Sequence, residues 1–310
     1  MQAFDRFTRT KNKRTMKTFI TGATGFVGSA VVKELIAAGH QVLGLARSEA
    51  SAAKLIAAGA EVHYGDLEDL ASLQHGAAAA DGVIHAGFIH DFSRFAEVCE
   101  VDKVAIETLG KVLAGSDKPL IVTSGTALVS PGIMATEDMV PPFNPGWPRA
   151  SEQAADATTK LGVRTSIIRL PPSVHGEEDL HGFVPMLINL AREKGVSAYI
   201  GDGLNRWNAV HRLDAATLYR LAMENAGSGA RYHAVAEAEI PFKTIAEAIG
   251  KLLKIPVVSI PADQADQHFN WLAGFATNDY PASSKLTRER LKWQPIQSTL
   301  VADIENGVYS

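Results

Sequence analysis

The sequence predicts an α/β fold, a doubly wound parallel sheet with a smaller C-terminal lobe. Three observations carry this. Short, nearly continuous apolar runs alternate with helical runs as far as Pro171-Pro172. A glycine-spaced turn joins the first apolar run to the first helical one. Beyond Pro172 prolines and glycines become denser and the strands isolated. Continuous apolar runs suit strands covered on both faces. Strands separated by helices imply right-handed crossovers and a parallel sheet.

The elements follow in order. Residues 17–21 read as the first strand and 26–38 as its helix, ended by Gly39. Residues 41–46 form the second strand, and a helix runs over 49–58 to Gly59. The third strand is 61–64, followed by a short helix after Asp69. The fourth strand is 82–86, then a long helix covers 93–114. The fifth strand is 119–124, a helix starts near Ala150, and the sixth strand is 164–170. In the C-terminal lobe, strands are expected at 198–200, 232–235 and 257–260, and helices at 214–225, 242–253 and 284–291. The organisation expected is a leader over 1–15, a dinucleotide-binding domain over 16–172 and a substrate lobe over 173–310. The last sheet strands can be shared between the two.

The chain has 310 residues, 46% hydrophobic and 21% charged, as in a soluble globular protein. Its 34 acidic and 30 basic residues advertise neither nucleic acid nor a charged membrane. No apolar run reaches membrane-spanning length. The one cysteine, Cys99, forms no intrachain disulfide, and no cysteine cluster offers a metal site. The leader carries Arg6, Arg9, Lys11, Lys13 and Arg14 without the apolar core of a signal peptide, and reads as a disordered extension before Met16, with a basic tail for targeting or binding as the alternative. The expected location is the cytoplasm.

The turn Thr21-Gly22-Ala23-Thr24-Gly25-Phe26-Val27-Gly28 has G-x-x-G-x-x-G spacing. Gly22 and Gly25 allow a tight turn and close approach of a ligand, and Gly28 lets the helix pack near the sheet. Free amides at the helix start favour an anion, here a dinucleotide pyrophosphate in a Rossmann-type site. Arg47-Ser48 follows the second strand, where an acidic residue would hold a ribose 2′-hydroxyl. Arg47 suits a 2′-phosphate and Ser48 can donate to it, so NADP(H) is expected over NAD(H). Arg47 equally fits a solvated charge at a helix start. Asp66, beside Leu67, suits an adenine amino group, a helix cap, or both.

With these residues in place the chain resembles the short-chain dehydrogenase/reductase superfamily, in its extended and atypical branch, often labelled NAD-dependent epimerase/dehydratase. The matching pieces are residues 21–28, Gly65-Asp66-Leu67, Val83-Ile84-His85-Ala86-Gly87, Val122-Thr123-Ser124-Gly125-Thr126, Arg169-Leu170-Pro171-Pro172-Ser173-Val174-His175-Gly176 and Val210-His211-Arg212-Leu213-Asp214. The resemblance implies that Ala86, Gly87 and Phe88 flank the cofactor, with Thr123 nearby, and that Pro171, Ser173 and Val174 lie beside the nicotinamide. It also implies a hydroxyl that holds the reacting oxygen, with Thr126 the best match and Ser124 beside it. His211 would hold the second lobe against the sheet.

Members of the family normally carry Tyr-x-x-x-Lys, and no such spacing occurs in this chain. If Glu152 matches the family's glutamate past the lysine, Asn144 stands at the tyrosine position and Pro148 at the lysine position. Asp102 stands near the family's supporting asparagine. A substitute proton donor is sought in His90 and Asp91, which can enter the pocket, and then in His175 and His211; for each of these histidines a structural or solvated role fits better. His85 reads as a packed strand histidine. Phe88, Phe92 and Phe143 suit apolar walls; Arg206 suits a substrate phosphate or a surface position; Trp207 suits a pocket wall or plain packing.

The reading that follows is an NADPH-dependent reductase of a small aldehyde or ketone, with the carbonyl substrate held by Thr126 and Ser124. A sugar-nucleotide epimerase or dehydratase, and a non-catalytic NADP(H)-binding redox sensor, are the alternatives. Phe95, Val98, Val101, Ala105, Leu109 and Val112 on the long helix suit either a homodimer face or packing on the chain's own sheet.

Overall fold

The computed structural model describes residues 15–129, 131–142, 144 and 148–309. Residues 1–14 of the leader expected over 1–15, and Phe143, lie outside the described residues.

The first half alternates as its apolar pattern requires: β1 (Lys17–Thr21), α1 (Phe26–Ala37), β2 (Gln41–Ala46), α2 (Glu49–Ala57), β3 (Glu61–Tyr64), α3 (Leu70–Ala78), β4 (Gly82–His85), α4 (Phe95–Leu113), β5 (Pro119–Gly125), α5 (Ser151–Lys160) and β6 (Arg164–Leu170). The second half holds β7 (Ser173–His175), α6 (Phe183–Lys194), β8 (Ser197–Ile200), β9 (Arg206–His211), α7 (Arg212–Asn225), β10 (Arg231–His233), β11 (Glu237–Pro241), α8 (Phe242–Leu253), β12 (Val257–Ile260), α9 (Ala265–Phe269), α10 (Ala273–Thr277), α11 (Lys285–Leu291) and α12 (Leu300–Glu305).

Seven parallel strands form the main sheet, in the order β10-β6-β5-β4-β1-β2-β3. One face is covered by α1, α2 and α7, whose Val31, Leu35, Leu55, Leu218 and Tyr219 share a buried cluster. The other face is covered by α3, α4 and α5 through Leu73, Ile106, Leu109 and Ala154. Buried apolar side chains such as these, each worth about 1.5–3 kcal/mol, hold the layers together. Chain order reverses between β1 and β4, so their carboxyl ends open a crevice. There Thr21 lies opposite His85.

Two elements of the second half belong to this main layer. Strand β10 extends the sheet beside β6. Helix α7 packs on α1, with Arg220 Nε donating to Glu34 Oε1 at 2.6 Å. The remainder gathers around a separate apolar cluster that includes Val184, Trp207, Phe242, Ile249 and Phe269. Small sheets β11-β9-β7 and β12-β8 frame it.

Several of these second-half elements depart from the expected pattern. Helix α6 and strands β7, β9 and β11 occupy stretches in which no regular element was expected. Each is held by partners distant in sequence: β9, for example, pairs with β11 on one side and β7 on the other. On α4, Val98, Ala105 and Leu109 face the sheet and are buried, while Glu97, Glu100 and Lys111 lie outward. Among the described residues no helix is long and apolar enough to cross a membrane.

Candidate active site

The crevice is built first from backbone. Gly22 adopts φ +68°, and a Cβ there would stand 2.6 Å from Gly87 Cα. A Cβ on Gly28 would stand 2.0 Å from Gly22 O. Only glycine fits either place, so the turn after β1 and the turn after β4 touch through bare backbone. Gly25 caps α1 without a side-chain hydrogen bond, and the first turn of α1 carries no acidic residue. The leading amides from Phe26, Val27 and Gly28 therefore face outward with the helix dipole behind them. Ala23 is buried beneath the turn, and Thr24 lies half-buried on it.

The walls follow. Arg47 is exposed after β2 and, among the described residues, makes no hydrogen bond or ion pair. Ser48 caps α2, accepting from the Ser51 amide at 3.3 Å. Asp66 Oδ1 accepts from the Glu68 and Asp69 amides at 2.8 and 2.9 Å, which leaves its second oxygen for a ligand. Leu67 approaches Gly87, and the Ala86 amide donates to Thr21 O at 3.3 Å. Thr123 Oγ1 donates to His85 O at 2.8 Å and lies 2.7 Å from Tyr219 Oη. Ser173 Oγ is buried and has no hydrogen-bond partner among the described residues, an open acceptor and donor beside Pro171 and Val174. An uncapped helix start, a cradle that a Cβ would fill and an orphaned hydroxyl together fit a nicotinamide dinucleotide.

The expected oxygen-binding hydroxyls need correction. Ser124 Oγ donates to Glu152 Oε1 at 2.8 Å and is buried under α5, away from the crevice. Arg169 Nε and Nη2 grip the same carboxylate at 2.7 and 2.8 Å. Burial opposes charge on Glu152, yet Arg169, Ser124 and Arg231 hold its carboxyl below the ordinary range. Ser124 thus serves a buried ion pair. Thr126 Oγ1 donates to Asn208 Oδ1 at 3.0 Å, tying β5 to β9. A hydroxyl has one proton, so Thr126 would have to release Asn208 before donating to a ligand.

Trp207 also needs correction. It is fully buried among Phe183 and Phe242, its Nε1 donating to Phe275 O at 3.0 Å, and lines no crevice. Arg206 is held by Asp279, at 2.6 Å from Nη2 to Oδ2, and by Glu239. With both carboxylates already on it, Arg206 is a lobe-internal clasp and carries no spare charge for a phosphate.

The remaining candidates divide. Asp91 accepts from Ser93 and Arg94, which hold its carboxyl below the usual range. His90 meets the Phe88 ring edge-on at 5.5 Å. Loss of water on that side, then the charge of Arg149, push the His90 pKa down, so it holds no spare proton at neutral pH. Asn144 is exposed on the loop before α5. His175 Nδ1 lies 2.6 Å from Asp303 Oδ2, edge-on to His211, and these rings join β7 and β9 to α12. His211 also caps α7. His85 is buried between Thr21 and Asp102. Tyr219 is wholly buried, and burial pushes its phenol pKa up, out of use as an acid. Sequence reasoning did not single out Arg149, whose guanidinium lies 4.2 Å over the Phe88 ring. Its one signal was position, a lone cation just before a helix that packs beside the crevice.

A family model described as the NAD dependent epimerase/dehydratase family matches residues 18–236, and the chain belongs to that family. It is 52% identical over 299 residues to an uncharacterized protein of Schizosaccharomyces pombe, covering 95% of this chain and 100% of that one. It is 30% identical over 191 residues to 4-hydroxy-2-methyl-3-oxo-4-farnesyl-3,4-dihydroquinoline-1-oxide ketoreductase of Stigmatella aurantiaca, covering 58% of this chain and 56% of that one. The crystal structure of DesIV, a dTDP-glucose 4,6-dehydratase from Streptomyces venezuelae with NAD and TYD bound, superposes with a TM-score of 0.73 at 19% identity, covering 94% of this chain and 96% of that one. Membership of that family supports a nicotinamide cofactor at the crevice.

Proposed function

We propose that the protein is a cytoplasmic, NADPH-dependent reductase of small ketones or aldehydes. The observation that carries the cofactor choice is Arg47, an exposed cation with no partner among the described residues, at the end of β2. The ribose nearest that strand end would place its 2′-phosphate there, and the guanidinium fork matches phosphate oxygens. The reductase direction is supported by the Stigmatella relative, whose name is that of a ketoreductase.

A bound nicotinamide supplies hydride to the carbonyl carbon. The chain's own work is then to seat the carbonyl and stabilise charge on its oxygen. Positioning alone accounts for much of such a barrier, on the order of several kcal/mol. With Ser124 buried on Glu152, Thr126 is the hydroxyl left to approach the oxygen, by turning from Asn208. A proton donor typically adds about 10²- to 10⁴-fold, and water entering the crevice can take that role slowly.

The test is equilibrium titration with NADPH and NADH, followed by NADPH oxidation over a panel of aldehydes, ketones and nucleotide sugars. NADPH should bind at least tenfold more tightly than NADH, and Arg47→Glu should reverse that order. Turnover should appear with simple carbonyls. Turnover confined to a nucleotide sugar would replace the reductase with an epimerase or dehydratase. Tight NADPH binding with no turnover would point to a sensor.

A further inference from the structure

A buried polar chain runs from the turn after β4 to the loop before α5. The Gly87 amide donates to Thr21 Oγ1 at 3.2 Å, and Thr21 Oγ1 lies 2.9 Å from His85 Nδ1. His85 Nε2 lies 3.1 Å from Asp102 Oδ1. Ser151 Oγ donates to Asp102 Oδ2 at 2.5 Å, and Arg149 Nε donates to Ser151 Oγ at 3.1 Å.

Burial opposes ionisation of Asp102, but His85, Arg149 and Ser151 hold its carboxyl below the ordinary range, so it is an acceptor only. His85 Nε2 then carries a proton toward Asp102, and His85 Nδ1 meets Thr21 Oγ1. Thr21 accepts from Gly87. Ser151 gives its proton to Asp102 and receives one from Arg149. The relay ends at the guanidinium.

Its form is informative. Asp102 is 2% exposed, and it reaches Arg149 through Ser151 rather than by gripping the guanidinium itself. Here the guanidinium is fixed by Nε on one side and by the Phe88 face below. Among the described residues, Nη1 and Nη2 meet no acceptor. Those two nitrogens present parallel donors from a plane that is already set. The charge reaches His90, Cys99 and Tyr219, which lie around the carboxyl ends of β4 and β5.

We propose that Arg149 is the group that seats the substrate's oxygens, aimed by Ser151, Asp102 and His85 as positioning residues. The substrate class that follows is a carbonyl compound with a carboxylate or second carbonyl beside the reacting one, such as a 3-oxo acid. Two oxygens spaced as in a carboxylate match two parallel N–H donors, and a lone ketone uses only one of them. This assignment deepens the reductase reading and rests on it.

The experiment pairs binding with turnover. Malonate, which cannot be reduced, is titrated by calorimetry into protein saturated with NADP+. Turnover with NADPH is compared for 3-oxobutanoate and butanone. Wild type should bind malonate and prefer 3-oxobutanoate. Arg149→Gln should weaken malonate roughly 10- to 100-fold and lose a similar part of the preference, as for a charged hydrogen-bonded contact. NADPH affinity should stay unchanged. Arg149→Lys should restore attraction but only part of the preference. Ser151→Ala should raise KM for 3-oxobutanoate by a larger factor than KM for butanone, which draws on one donor rather than two, a split that a general loss of structure would not give. The proposal is overturned if wild type ignores malonate, if Arg149→Gln binds it equally well, or if that variant loses NADPH instead. Malonate binding that depends on Arg149, in a protein that reduces no carbonyl, would keep the oxygen seat and remove the reductase reading.

Discussion

Arg169 has no exposed surface, yet it carries a charge. Glu152 neutralises it, Met139 O and Thr136 O take further protons, and His233 Nε2 accepts at 3.0 Å. Removing one partner of such a buried pair leaves the other unpaired in a medium that solvates it poorly. Glu152→Ala should therefore cost about 3–5 kcal/mol in urea unfolding. A loss under 1 kcal/mol would mean that water reaches Arg169. The same pair explains why Ser124 is no substrate hydroxyl: its proton completes the hydrogen bonding of Glu152. Sequence position alone put Ser124 at the carboxyl end of β5, where a crevice residue belongs. Which way its side chain points depends on the carboxylate that α5 brings over it.

At the scale of elements, the N-terminal strands and helices were legible because each carries its own signal. Apolar runs bounded by Gly39, Gly59 and Gly65 have little choice of conformation, and positive φ at each of these glycines marks an end. Strand β9 had no such signal. Arg206, Trp207 and Asn208 look like a polar loop around one aromatic. In the fold Asp279 neutralises Arg206, Tyr280 O accepts from Asn208, and Trp207 enters the lobe's core. Every one of these partners comes from about 70 residues further on or from a neighbouring element. Trp207→Ala should create a cavity and cost about 3–5 kcal/mol, read as a lowered urea midpoint with little change in slope. Unchanged stability would show that the side chain is not the lobe's anchor. Leading amides of α1 were readable from glycine spacing, since that spacing is itself the geometry.

For the whole molecule, stability is tied to pH through groups that the fold isolates from water. His233 lies at the junction of the main sheet and the C-terminal segment, with Nδ1 donating to Ser283 O at 2.7 Å and Nε2 accepting from Arg169. Burial first, and then the Arg169 cation, push its pKa from 6.5 down to about 4, against an attraction from Glu137. The unfolded chain takes up this proton near pH 6.5 and the folded one only near 4. Stability from this group is thus complete above pH 6.5 and is lost as pH falls toward 4, on the order of 3 kcal/mol in all. Thermal melts from pH 7 to 4 should show that decline, and His233→Gln should flatten it within this window. A wild-type melting temperature that is level from pH 6.5 to 4 would contradict the isolation of His233.

The alternation of apolar runs, the glycine turn after β1 and the cation after β2 were determined by the amino-acid sequence, because each is a local matter of backbone freedom, periodicity or charge. Tertiary structure alone decided that Ser124 turns inward, that Trp207 and Arg206 belong to the lobe, and that Arg149 stands at the end of a buried relay. Those outcomes depend on partners far away along the chain, and a side chain's role is settled by which of them reaches it first with a matching hydrogen bond or charge.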